Sequence, residues 1–341
     1  MTPWRVYADP PQSDPSITGA QRRAQARARR DDVGFVDALD SDASGYVVWM
    51  CSDSLGAVDG PRGPIVDARE VDDALPGPWE ADLLALARRH DLTGRAAEAM
   101  AEGYQQAIGT IAAEPLHASR SAALRQSGRL AKGIEPAAGA SAAGAVGRLV
   151  APGTRLRRDR VSKRWGTEVA AAPDLGPELA QYRESLPEPT ARLLSQYRVA
   201  DALEGATGMV LVLMARGDDG GDVLLVEGTP AAPSTREDDY GAWRDGSDVQ
   251  RVLLAREIVP LVAAEFAGWS TSADGATARV WSRARAAKAL PDWGSRRSRA
   301  RTLGAALGLL HAASGDAASL AGYLGHSGRF PAAVRRVMAG D

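Results

Sequence analysis

A chain of 341 residues with 45% hydrophobic and 25% charged side chains has the balance of a folded globular protein, built as one large or two smaller domains. Its net charge of −2 argues against a nucleic-acid binder at the level of the whole chain, and its one cysteine, Cys51, excludes an internal disulfide. No apolar run reaches the roughly 18 residues that cross a bilayer, and the opening MTPWRVYADPPQSDPS lacks the apolar core of a signal peptide, so the expected location is the cytoplasm.

In chain order, residues 1–33 read as a weakly ordered start followed by a charged, solvated helix, because GAQRRAQARARRDD has helical propensity without an apolar stripe. YVVWMC (46–51) and PIVDAREV (64–71) are compact β-type runs, with the turn-rich SDSLGAVDGPRG between them predicting a loop. In LPGPWEADLLALARRHDL the prolines end the strand and a helix starts near Trp79. Glu80 and Asp82 fall in its first turn, and Leu83, Leu84, Leu86 and Ala87 form its apolar face. A second helix is expected over 94–114. The small-residue stretch 127–147 predicts a flexible connection, and RLRRDRVSKR (155–164) is a basic patch. MVLVLMARG and DVLLVEG, split by GDDGG, predict a β-hairpin. A helix is expected over 248–266 with Pro260 kinking or dividing it, then a strand at TARVWSRA, a helix over 297–315 and a glycine-broken helical end. The pattern is α+β without an internal repeat.

Four segments, in order, resemble the bacterial domain-of-unknown-function family 2252. DDALPGPWEADLLALA is similar to that family's DFDE-x-LPGPWEWDL motif. VQRVLLAREIVPLVAAEFAGW, LGLLHAASGDAASLAGYLGHSGRF and DVLLVEGT resemble three further family segments. That family resembles aminoglycoside-phosphotransferase-like kinases. The resemblance implies a protein-kinase-like core over the whole chain, with a weakly ordered or helical segment over 1–45. A catalytic-loop-like hairpin and helices would fill 46–118, a helical or irregular connection 119–190, and a β-hairpin with the C-terminal helices 191–341. Glu70 and Asp82 stand twelve apart, as two aspartates do in such kinases. The catalytic-loop-like part precedes the V-K-E-A-like strand, which implies a rearranged lobe order or a false equivalence.

Phosphoryl transfer needs a positioning carboxylate, metal ligands and donors around the phosphates. By resemblance Asp53 is the base candidate, with a turn-capping aspartate as the alternative. Glu70 and Asp72 are the metal candidates, with an acidic solvated turn as the alternative. The family's histidine, metal-binding asparagine and phosphate-binding lysine fall on Leu55, on Val58 or Ala57, and on Glu227. Its asparagine before the metal aspartate is Arg69, a cation that disfavours a metal. The glycine-rich turn reads ADALEGATGM, with Gly205 and Gly208 off register. His311 is expected to be structural, and zinc is disfavoured.

Retained scaffold with altered chemistry implies a pseudoenzyme that acts as a binding or regulatory module and takes no cofactor. Its expected partner is a protein or a small molecule. The alternative is a divergent phosphotransferase using Mg²⁺ and ATP, with an arginine replacing the lysine. A nucleic-acid binder using Arg155 to Arg164 is the third and weakest reading, and no membrane partner is expected. The short segment before the hairpin region favours self-association.

Overall fold

A computed structural model describes residues 18–340 apart from 36–38, 40–43, 116–117, 133–148, 152–154, 166–169, 172–174, 216–221, 273–274, 285–286 and 291–293. The first part of the expected N-terminal segment, most of the small-residue connection and the GDDGG turn lie outside the described residues.

The chain opens with α1 (Gly19–Val33), β1 (Val47–Met50) and a 3₁₀ turn (Ser52–Ser54). β2 (Leu55–Gly60), β3 (Gly63–Ala68), β4 (Leu75–Pro78), α2 (Trp79–Arg89), α3 (Gly94–Ala112) and α4 (Ser119–Leu130) follow. The middle holds β5 (Val150–Ala151), β6 (Arg155–Leu156), α5 (Arg158–Trp165), β7 (Ala170–Ala171), α6 (Gly176–Glu184), α7 (Glu188–Leu194), β8 (Tyr197–Gly205), β9 (Gly208–Ala215) and β10 (Val223–Pro230). The remainder is α8 (Glu237–Tyr240), α9 (Asp248–Ile258), β11 (Gly268–Thr271), β12 (Ala278–Arg283), β13 (Ala287–Ala289), α10 (Arg296–Ser314), α11 (Ala317–Leu324) and α12 (Arg329–Val337). The fold is α+β.

Two bodies of packing result. The first is helical. α3 lies along α10 at backbone contact, since a Cβ on Gly304 would stand 1.9 Å from the Met100 carbonyl oxygen. Glycine is therefore the residue that this crossing admits. Trp79, Tyr104, Tyr323 and Phe330 form a buried aromatic cluster beside it. The second body is an antiparallel sheet in the order β11-β12-β10-β9-β8-β7. Strand β9, MVLVLM, is apolar throughout because both of its faces are covered. Met209, Leu211 and Leu213 face Leu179, Tyr182 and Leu194 of α6 and α7. Val210 and Val212 face Leu156 and Val161.

Several expectations need correction. Helix α1 is solvated on one side only. It is capped by Thr18 and Gln21 and packs on α11, where Arg22 pairs with Asp316 at 3.1 Å and Ala26 is buried. Its stripe is short and made of alanine and arginine stems, which apolar periodicity does not register. The expected loop 52–63 contains β2, paired with β3 from Leu55 opposite Ala68 to Gly60 opposite Gly63. The LPGP segment is itself a strand, paired with β1. Its prolines are two apart, so both missing N–H groups lie on one side, which a two-stranded ribbon tolerates. Helix α9 ends at Ile258, before Pro260, and the GWST that follows is strand β11.

Candidate functional site

The hairpin β2–β3 creates the site. An antiparallel hairpin returns the chain to its start, so the 3₁₀ turn before Leu55 and the segment after Ala68 meet at one end. Asp53 lies in the first and Arg69 to Asp73 in the second. Opposite them stands the six-stranded sheet, presenting Glu227 and Thr229 of β10, Ser282 and Arg283 of β12, and Thr207 from the β8–β9 turn. Between the two lies a cleft of about 580 Å³, lined by Asp53, Glu70 and Asp72 among others. The three residues singled out by resemblance thus share one cavity. Glu227, at the family's lysine position, lines it with the opposite charge, and the ADALEGATGM turn reaches it through Thr207.

The carboxylates are engaged. Asp72 accepts from Arg256 Nε at 2.8 Å and Nη2 at 2.7 Å, one on each oxygen, and from the Thr229 hydroxyl at 2.6 Å. Burial favours the neutral acid, but the Arg256 charge and hydrogen bond, the Thr229 hydroxyl and the Arg251 charge outweigh it and hold Asp72 below the usual carboxylate range. Asp53 accepts from Arg236 at 2.8 Å. Asp73 accepts from the amide and the hydroxyl of Thr235, both at 2.7 Å, which ties the loop before α8 to the site. Arg251, fully buried, donates to the carbonyls of Asp72 and Ala74 and fixes the backbone of that segment.

Within the acidic segment Glu70 is exposed, while Asp72 and Asp73 are part-buried and held by these bonds. Asp67 is completely buried and accepts from the amides of Leu261 and Val262, at 2.7 and 3.2 Å, which bind β3 to the segment after α9. Beneath Asp53 lies a second buried network. Asp82, in the first turn of α2, accepts from the amides of Cys51 at 2.7 Å and Ser52 at 3.0 Å, and meets His311 Nε2 at 3.0 Å. His311 Nδ1 meets the Tyr104 hydroxyl at 2.9 Å. Burial would raise Asp82, but the hydrogen bond and charge of His311, then Arg236 and the Cys51 amide, hold it low. The Cys51 thiol is pushed well above its ordinary value by burial and by the neighbouring Asp82 charge. Cys51, Asp82 and His311 offer ligand atoms within 4.8 Å of one another, and the Asp82 oxygens and both His311 nitrogens are engaged in hydrogen bonds with one another, Tyr104 and the backbone.

Sequence reasoning missed Arg236 and Arg256. Arg256 carried a weak signal, a charge among the buried positions Val252, Ala255 and Val259; Arg236, in a loop, carried none. The expected basic patch has exposed Arg155, Arg157, Arg158 and Arg160, while the side chains of Lys163 and Arg164 lie outside the described residues. Among the described residues, no helix is long and apolar enough to cross a membrane.

Fold and cleft define an α+β protein with an internally ion-paired acidic cleft between a helical body and an antiparallel sheet. A family model described as "Uncharacterized protein conserved in bacteria (DUF2252)" matches residues 35–339, and the chain belongs to that family. No curated protein and no solved structure matches it.

Proposed function

We propose that this chain is a kinase-like protein in which internal ion pairs have taken the place of metal-dependent transfer chemistry, and that it works as a binding or regulatory module. The observation that carries this reading is the bidentate Arg256–Asp72 pair, which commits both oxygens of one of the two metal candidates. The kinase-like part is supported by the succession of parts. A turn bearing Asp53 is followed by a hairpin and an acidic segment, and a buried aspartate on the next helix, Asp82, holds the amides of that turn. The sheet that closes the cleft comes later in the chain, which fits a rearranged lobe order.

The residues present do not fit a magnesium ion. Mg²⁺ demands near-octahedral oxygen ligands. Asp72 is occupied, Ala57 and Val58 offer no ligand atom, and the Arg69 cation adjoins Glu70. The test is a thermal titration with ATP, with and without Mg²⁺ or Mn²⁺. A ligand of the folded state raises Tm by mass action. No metal-dependent rise is expected. A rise that requires metal and is abolished by Asp72→Ala overturns the reading.

A second reading, a divergent Mg²⁺- and ATP-dependent phosphotransferase, draws on the convergence of Asp53, Glu70 and Asp72 in one cleft. It requires Asp53→Asn to abolish turnover while the fold persists; unchanged turnover removes that role from Asp53.

A further inference from the structure

The cleft holds cations that the ion-pair pattern leaves over. Arg256 is committed to Asp72, Arg236 to Asp53 and Asp82, and Arg283 to Glu265. Arg69 and Arg89 line the same cleft, and the described residues supply neither with a hydrogen-bond or ion-pair partner. Arg69 is the more constrained. Its side chain lies across β2 at Gly56, where a Cβ would stand 2.0 Å from its Cδ, so glycine is what lets the arginine take this path. Its Nε is buried without an acceptor. A guanidinium already held in place loses little freedom when it binds, and its planar fork matches a phosphate bidentately.

We infer that the cleft binds the phosphate group of a phosphorylated small molecule directly through Arg69, assisted by Arg89, without a divalent ion. This rests on the binding-module reading and names its ligand class. The arginine does what a metal does in a transferase: it neutralises phosphate charge. Unlike a metal, it offers no open coordination position. Of the lining acids, Asp53 and Asp72 are each offset by an arginine and Asp73 is held by Thr235, while Glu70 and Glu227 supply the opposing charge that Arg69 and Arg89 must outweigh. Hydroxyls of Thr207 and Ser282 stand on the opposite wall as further donors; the Thr229 proton is already given to Asp72. About 580 Å³ lies within the ordinary range of small-molecule pockets and admits a group of nucleotide size.

The experiment is calorimetric titration of the full chain with inorganic pyrophosphate and with ATP, each in EDTA and again in excess Mg²⁺. Both probes are expected to bind in EDTA, with no gain from Mg²⁺. Arg69→Ala is expected to weaken binding roughly tenfold or more, the loss typical of one hydrogen bond to a charged group. Arg89→Ala, at the exposed end of α2, is expected to weaken it severalfold, and it carries the test if Arg69→Ala melts early. ATP binding tighter than pyrophosphate assigns a nucleotide as the source of the phosphate; equal affinity assigns the phosphate group alone; both support the site. Silence in every arm overturns this inference and leaves the module reading standing. So does binding in EDTA that both variants retain. Binding confined to Mg²⁺ overturns both.

Discussion

Arg256 connects the sheet side of the cleft to the hairpin side. It spans Asp72, the Thr229 hydroxyl and the Ser282 hydroxyl, so its loss leaves a partly buried carboxylate with one donor where it had three. Arg256→Ala is expected to lower the free energy of unfolding by about 1–3 kcal/mol, measured by urea denaturation. Solvent reaches a third of the Asp72 side chain, which keeps the loss at the lower end of that range. At Asp82 there is no such relief. Asp82→Asn places an NH₂ group among donors, the amides of Cys51 and Ser52, and is expected to cost on the order of 3 kcal/mol. A loss below about 0.5 kcal/mol in the same urea measurement would show that the network is not structural. Asp53, Glu70 and Asp72 were legible in the sequence because they sit in local motifs. Their partners were not, since Arg256 lies 184 residues from Asp72 and Arg236 lies 183 from Asp53, separations at which periodicity carries no information. Asp67, inside the β-type run 64–71, gave no sign of its role because the donors it accepts from, the amides of Leu261 and Val262, come from a segment read as helix.

Among the elements, α1 depends on one close backbone approach. Its seat on α11 is a glycine, Gly322, where a Cβ would stand 2.4 Å from the Arg23 carbonyl oxygen. Backbone cannot yield as a flexible side chain can, so Gly322→Ala is expected to lift α1 away while the α3–α10 core remains. Hydrogen exchange is the measurement: amides 22–33 should lose protection while those of 96–111 keep it. Equal protection in both proteins would mean that the contact relaxes without undocking. The helices α2, α3 and α10 were legible from the period of their buried faces, and the β9–β10 pair from two apolar runs split by a glycine-rich turn. β2 and β4 were among the strands that stayed hidden. β2 is rich in glycine and turn residues, and β4 consists of prolines and a glycine beside one leucine; pairing partners, not propensity, make them strands.

At the scale of the whole molecule, an α+β composition was legible, but strand order was not, because it depends on which apolar faces find each other across long connections. The buried carboxylates give the assembled protein an acid limit. Asp72 and Asp82 have folded-state values below their unfolded ones. In the interval between the two values the unfolded chain binds more protons, so stability falls as pH falls. It should therefore be level with respect to these groups above about pH 5, begin to drop near pH 4, and lose their contribution as pH passes through the folded values. Asp72→Asn should flatten part of that limb in denaturant titrations between pH 3 and pH 6, and an unchanged limb would assign the loss to other acids. The sole thiol, Cys51, sits at the floor of this same network, buried and with its proton held tightly. Asp82 holds the Cys51 amide, so a disulfide reagent is expected to reach the thiol when the turn bearing Asp53 lets go of Asp82. The rate at which one equivalent of reagent is consumed thus becomes a clock for the opening of the cleft floor, readable in the unmodified protein without any introduced label.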